Sequence, residues 1–230
     1  MSFDGKSWTS ECSINFHRAG ATAVSVKGSV YIFGGYSNQR FENRTERYVD
    51  GCWKHDMQKD QLNNRSEACT MIIGENVFLL GGRDTRPLRP RLSRLINSVD
   101  AINIRTNQWK KVAPLNDARM NFAASTVRDV IYVFGGCSHS KQPFNSCEFL
   151  DTSTENATWT TLPYAPDVLN YATSFVLSND EIIVLGGQST QLCCFSTRTH
   201  TWKDTFTNCQ QEQEKLGEAV ISSRIFGFIM

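Results

Sequence analysis

The chain has 230 residues, with 24 Lys and Arg against 23 Asp and Glu and a formal net charge of +1. That balance supplies no long-range field toward nucleic acid or an anionic membrane, so neither is expected as a partner. No apolar run approaches the roughly 20 residues of a spanning helix, and the opening MSFDGKSWTS has neither region of a signal peptide, so a reducing, cytoplasmic setting is expected.

In chain order, FDGKSW (3–8) reads as the end of one strand and the whole of the next, and residues 1–15 as the close of a partial unit. The first full unit, 16–64, places ATAVSV (21–26) and SVYIF (29–33) about a Lys27-Gly28 turn, then strands near RTERYV (44–49) and CWKHDM (52–57). Unit 65–118 repeats the layout as ACTMII, NVFLL, SVDAINI and QWKKV. Unit 119–169 reads FAASTV, VIYVF, SCEFLD and TWTTL, and unit 170–216 reads YATSFVL, EIIVL, QLCCFS and TWKDTF, closing on a solvated QQEQEKL. The last stretch, EAVISSRIFGFIM (218–230), reads as the first two strands of a further partial unit, 217–230. Short alternating or apolar segments between polar turns predict an all-β fold.

Three markers keep phase. Gly-Gly pairs begin at 34, 81, 135 and 186; tryptophans at 8, 53, 109 and 159 precede them by 26, 28, 26 and 27 residues, and Trp202 follows the last pair. Arg18, Arg65 and Arg119 each stand 16 residues before a pair, and Asn170 holds that place in the fourth unit. A period near 50 with four strands per unit predicts β-propeller blades. The first strand carries small residues (Ala23, Ala68, Ala124), as suits a crowded axis, and the second is apolar on both faces because neighbouring blades cover both. The glycine pair permits positive φ and close approach, and is expected to admit a neighbour's tryptophan.

Chemistry is sparse. The eight cysteines (12, 52, 69, 137, 147, 193, 194, 209) form no Cys-x-x-Cys, so free thiols are expected, those in strands acting as small hydrophobes. The histidines are scattered, and Cys137 with His139 lacks a third metal ligand. No enzyme, metal or cofactor is predicted. The densest charge is RDTRPLRPRLSRLINS (83–98), where Arg83, Arg86, Arg89, Arg91 and Arg94 face one acid, Asp84. Its two prolines predict an extended loop outside the sheet. It is either a recognition element for an acidic partner segment or a solvated loop.

An apolar strand ending in Gly-Gly, followed by NSVDAINIRTNQWKKVAPLNDAR (97–119), is similar to the kelch repeat, most of all that of the BTB-kelch (kelch-like) family. Asp100 stands where that family has Glu, Ile102 where it has an aromatic, and APLNDAR resembles its Ala-Pro-Met-x-x-x-Arg. The resemblance implies a single kelch-type β-propeller over 1–230, with four full units and two half-units. These make either about five closed blades or part of a six-bladed ring. It also implies a protein-binding module like the substrate-recognition domain of cullin-RING ubiquitin ligase adaptors, holding an extended acidic peptide on the loop face. The alternative is a cytoskeletal, actin-binding kelch protein. Cullin contact would need a BTB domain, which these residues do not include. By the same resemblance Arg18, Arg65 and Arg119 point into a central pocket, joined by Tyr36 and Ser66; the other reading makes the arginines braces of the blade turn.

Overall fold

Two-residue turns with left-handed backbone start each blade's geometry. Lys27 (φ 50°) and Gly28 (φ 74°) link the first two strands of unit one, and Asp50 (φ 52°) and Gly51 (φ 77°) the last two. Two successive positive φ values match the twist of a tight hairpin. The computed structural model describes residues 2, 3, 5–37, 40, 41, 43–61, 63–86, 89–186 and 192–203. Its strands are β1 Ser2–Phe3, β2 Trp8–Thr9, β3 Thr22–Val26, β4 Ser29–Phe33, β5 Tyr36–Ser37, β6 Arg40–Phe41, β7 Thr45–Val49, β8 Cys52–His55, β9 Cys69–Ile73, β10 Asn76–Leu80, β11 Arg83–Arg86, β12 Arg89–Leu95, β13 Val99–Asn103, β14 Gln108–Val112, β15 Ala123–Val127, β16 Val130–Phe134, β17 Cys147–Asp151, β18 Thr160–Leu162, β19 Thr173–Ser178, β20 Glu181–Leu185, β21 Cys193–Ser196 and β22 Thr201–Lys203. Among the described residues the one helical turn is the 3-10 segment Met57–Lys59, and no helix is long and apolar enough to cross a membrane.

Four antiparallel four-stranded sheets follow, ordered β3-β4-β7-β8, β9-β10-β13-β14, β15-β16-β17-β18 and β19-β20-β21-β22. Their first strands lie side by side in succession, β3 on β9, β9 on β15 and β15 on β19. Hydroxyl pairs bridge two of these steps, Thr22 to Thr70 at 2.7 Å and Ser125 to Ser174 at 2.8 Å. The arrangement is a β-propeller of kelch type, with β3, β9, β15 and β19 innermost. β1 and β2 form a separate two-stranded pair, Ser2 opposite Thr9. Residues 204–230, which include QQEQEKL, Cys209 and the expected last partial unit, lie outside the described residues, as do Gly187 and Gln188.

The core lies between blades. In β10, Val77 and Leu79 pack with Tyr31 and Phe33 of the first blade, while Phe78 and Leu80 pack with Ile131 and Val133 of the third. Tyr132 and Phe134 meet Ile182, Val184 and Phe195 of the fourth. Both faces of each such strand are therefore covered, which accounts for its uninterrupted apolar run. Trp109, Trp159 and Trp202 each reach back to the preceding blade. Trp159 donates through Nε1 to Ala113 O at 2.8 Å, and Trp202 to Pro163 O at 3.1 Å.

Four expectations change. The glycine pairs admit backbone, not a tryptophan ring. A Cβ on Gly81 would stand 2.8 Å from Arg119 O, and one on Gly136 2.7 Å from Met120 O. The close approach carries a blade-to-blade bond in each case: Gly35 N donates to Arg65 O (2.8 Å), Gly82 N to Arg119 O (2.8 Å) and Gly136 N to Leu169 O (2.6 Å). Secondly, that series puts Leu169, and not Asn170, in the lead position of unit four. The β19–β20 register shifts between Val176 and Ser178, so one extra residue offsets the count. Left-handed residues two positions on, at Gly20, Glu67, Asn121 and Tyr171, mark the same alignment. Thirdly, the arginine-rich stretch pairs with itself as the β11–β12 hairpin instead of remaining a loop. A β5–β6 pair stands at the same point in unit one. Lastly, β8 ends at His55 and β18 begins after Trp159, shorter than the sequence pattern suggests.

Candidate functional site

The lead arginines are internal. Their side chains retain 1% exposure at Arg18, 2% at Arg65 and 1% at Arg119. Each Nη1 donates to the carbonyl of the first glycine of its pair, at 2.8 Å to Gly34, 3.2 Å to Gly81 and 2.6 Å to Gly135. The same atom reaches the carbonyl that precedes the third strand, Arg44 (2.7 Å), Ser98 (3.0 Å) or Ser146 (3.0 Å). Each Nη2 pairs with a carboxylate two residues further on: Glu46 at 2.9 Å, Asp100, and Glu148 at 3.0 Å. A guanidinium suits this work because its fixed fork satisfies several acceptors at once. All three arginines therefore brace the glycine turn.

The carboxylates serve a second donor. Glu46 Oε1 accepts from Asn15 N (2.6 Å) and Asn15 Nδ2 (2.8 Å), and Glu148 Oε2 accepts from Asn116 N (2.8 Å). Burial pushes the Glu148 carboxyl upward, with the Arg119 charge and the Asn116 amide pulling back. Burial likewise lowers Arg65, opposed by Asp100. Sequence reasoning missed these acids as partners. Their signal is a carboxylate at the second position of each of TERYV, VDAIN and CEFLD. The fourth unit lacks both members: Leu169 takes the arginine's place, and Cys193, opposite Val184, takes the carboxylate's.

Beyond the braces, each blade pins the residue after its lead arginine to the residue after its glycine pair. The bridges are Ala19 with Tyr36, Ser66 with Arg83 and Met120 with Cys137. Ser66 and Cys137 are buried, at 1% exposure each. Tyr36 is 37% exposed and Tyr171 71%, the latter tied by its N–H to Asn121 O at 2.9 Å. The sequence count, one residue out in unit four, passed over Tyr171. Arg83 Nη2 pairs with Glu67 at 2.8 Å. Arg94 faces Asp84 across the hairpin, Nε to Oδ1 at 3.0 Å and Nη2 to Oδ2 at 3.2 Å, and this contact raises the Arg94 guanidinium. Arg86 stands opposite Arg89 in the same hairpin, and Arg91 lies further along β12. The strand entries and hairpins thus carry two exposed tyrosines, Tyr36 and Tyr171, and two ion-paired arginines, Arg83 and Arg94. Among the described residues no His, Cys, Asp and Glu cluster suits a metal.

Residues 20–228 match the profile of the KLHDC2/KLHL20/DRC7 Kelch-repeats domain. The chain is 22% identical over 209 residues to Kelch-like protein 23 of Homo sapiens, covering 86% of this chain and 34% of that protein. It is 26% identical over 148 residues to Kelch-like protein 36 of Mus musculus (61% and 23%) and 24% over 194 residues to Kelch repeat protein M-T8 of Myxoma virus (83% and 36%). The chain thus spans between about a quarter and a third of the length of these relatives. With the in-phase blades and a profile match over most of its length, the chain belongs to the kelch-repeat family, as a kelch-repeat domain of the kelch-like group.

Proposed function

We propose that this chain captures an extended acidic segment of a partner protein on the face formed by the strand entries and the β11–β12 hairpin. The family is one of protein-interaction modules, which sets the class of activity. One observation carries the finer reading: the β11–β12 hairpin holds Arg83, Arg86, Arg89, Arg91 and Arg94 against a single internal acid in its sequence. Asp84 engages Arg94 and Glu67 engages Arg83, and the sequence between them adds Arg86, Arg89 and Arg91. Arginine forks pair carboxylates bidentately, and the exposed Tyr36 and Tyr171 at blade entries offer flat amphipathic anchors. Arg18, Arg65, Arg119 and Ser66 are left out because they are buried. In the longer setting that the kelch-like resemblance implies, such a module would serve a ubiquitin ligase adaptor by presenting its partner.

The test uses a fluorescent glutamate-rich peptide titrated against the chain and against the triple variant Arg86→Glu, Arg89→Glu, Arg91→Glu. Binding is expected to weaken at least about ten-fold, at roughly 0.2–1 kcal/mol for each exposed pair lost plus new repulsion. It should also fall with added salt. Unchanged or salt-independent binding by a variant that melts like the parent would overturn the reading, and would leave the blade sides as the docking surface, as in the cytoskeletal alternative.

A further inference from the structure

Seven free cysteines are described, and only Cys12 and Cys52 are exposed. They are also neighbours. Cys52 opens β8, the outermost strand of the first blade. Cys12 lies in a segment that is tethered along that blade on both sides of it. Before it, Tyr48 Oη donates to Glu11 Oε2 at 2.8 Å. After it, Asn15 Nδ2 donates to Trp53 O at 2.9 Å, and Asn15 N to Glu46 Oε1 at 2.6 Å. Cys52 stands next to Trp53 and opposite Val49 on the edge along which this segment runs, close enough for its thiol to feel that of Cys12. Two thiols 40 positions apart in sequence therefore meet at the surface, held there by bonds that involve neither sulfur.

We propose that Cys12 and Cys52 are a reversible redox pair that closes to an intramolecular disulfide when a small disulfide such as oxidised glutathione is the oxidant. One thiol loses its proton and attacks the oxidant's sulfur–sulfur bond, which breaks and releases one glutathione thiol. The other cysteine then attacks the mixed disulfide, forming the protein disulfide and releasing the second glutathione. The protein loses two electrons and two protons, and the oxidant gains both. The bridge fastens the strap that ends at Arg18 onto the blade's outer edge, and encloses β3, β4, β7 and the β5–β6 pair carrying Tyr36. A cross-link of that kind removes conformations from the unfolded chain.

The neighbouring Cys12 thiol pushes the Cys52 thiol upward, as two sulfurs side by side at the surface require. By contrast, burial pushes Cys69 and Cys147 to about 12, which removes them from exchange near neutral pH.

The full chain is incubated with oxidised glutathione, quenched with an alkylating agent, digested and mapped by mass spectrometry. The expected product is a peptide pair joined through Cys12 and Cys52, lighter by two hydrogens and lost on treatment with dithiothreitol. Its formation should raise the urea midpoint of the oxidised chain. Cys12→Ser and Cys52→Ser should each leave a glutathione adduct on the surviving cysteine and no bridge. The proposal is overturned by separate adducts on both cysteines of the parent chain, by linkage of either to another cysteine such as Cys209, or by alkylation of both in place of reaction.

Discussion

Arg119 and Glu148 show what a buried charge pair demands. Removing one member leaves the other desolvated and alone, which costs about 3–5 kcal/mol, whereas replacing both by apolar groups can be close to neutral. The fourth blade carries such a double replacement in Leu169 and Cys193. Arg119→Leu and Glu148→Cys are each expected to lower urea stability by roughly that 3–5 kcal/mol, and the double variant by clearly less. The coupling read from the cycle should be about 3 kcal/mol or more in favour of the double change. A strictly additive double variant would show that the pair does not act as a unit. Cysteines obey the same rule of burial. Burial pushes the Cys147 thiol up to about 12, so it stays protonated and unreactive at pH 8. Iodoacetamide on the native chain should therefore label Cys12 and Cys52 long before Cys69 or Cys147, and label all of them once urea unfolds it.

Glycine positions separate two demands at the level of strands and turns. Gly74 (φ 60°) closes a hairpin with open space around a would-be Cβ, whereas Gly81 (φ 51°) faces the Arg119 carbonyl. Gly74→Ala should cost about 1 kcal/mol of backbone strain. Gly81→Ala adds a steric overlap and endangers the Gly82 N–H to Arg119 O bond, so about 3 kcal/mol or more is expected from thermal unfolding. Equal losses would mean that the close approach between blades contributes nothing. Strand positions were legible at this level: β4, β10, β14, β16 and β20 fall where the apolar runs place them. The 83–98 stretch was misread because two prolines argue against pairing. Pro90 nevertheless sits within β12, since a two-stranded hairpin leaves edges on which a missing N–H is tolerated. The β19 bulge was invisible for a different reason. An inserted residue changes the register without changing the apolar pattern, and so Leu169 was displaced by one in the count.

Blades cohere through the layers between them, and Trp159 is a direct probe of one. It is 6% exposed, packs among residues of the second and third blades, and donates to Ala113 O. Trp159→Ala should cost about 3–5 kcal/mol, and Trp159→Phe about 1 kcal/mol for the lost hydrogen bond. Both are expected to shift one cooperative unfolding transition, followed by fluorescence and circular dichroism together. If the two probes part company in the alanine variant, the blades unfold separately.

Repeat length, strand order and the wall-to-wall apolar second strands could be read directly from the residues, because burial and tight turns leave marks a few positions apart. The fate of the arginines could not. Arg18 meets its carboxylate 28 residues away and Arg65 meets its own 35 away, across loops of unequal length. Identical residue types thus end differently: Arg18, Arg65 and Arg119 are sealed inside as braces, while Arg83 and Arg94 pair at partly exposed sites in the hairpin. Local pattern specifies which segments pair. Whether a charge ends beside an opposite charge or in water depends on contacts between segments distant in the chain, and those exist only once the blades have packed.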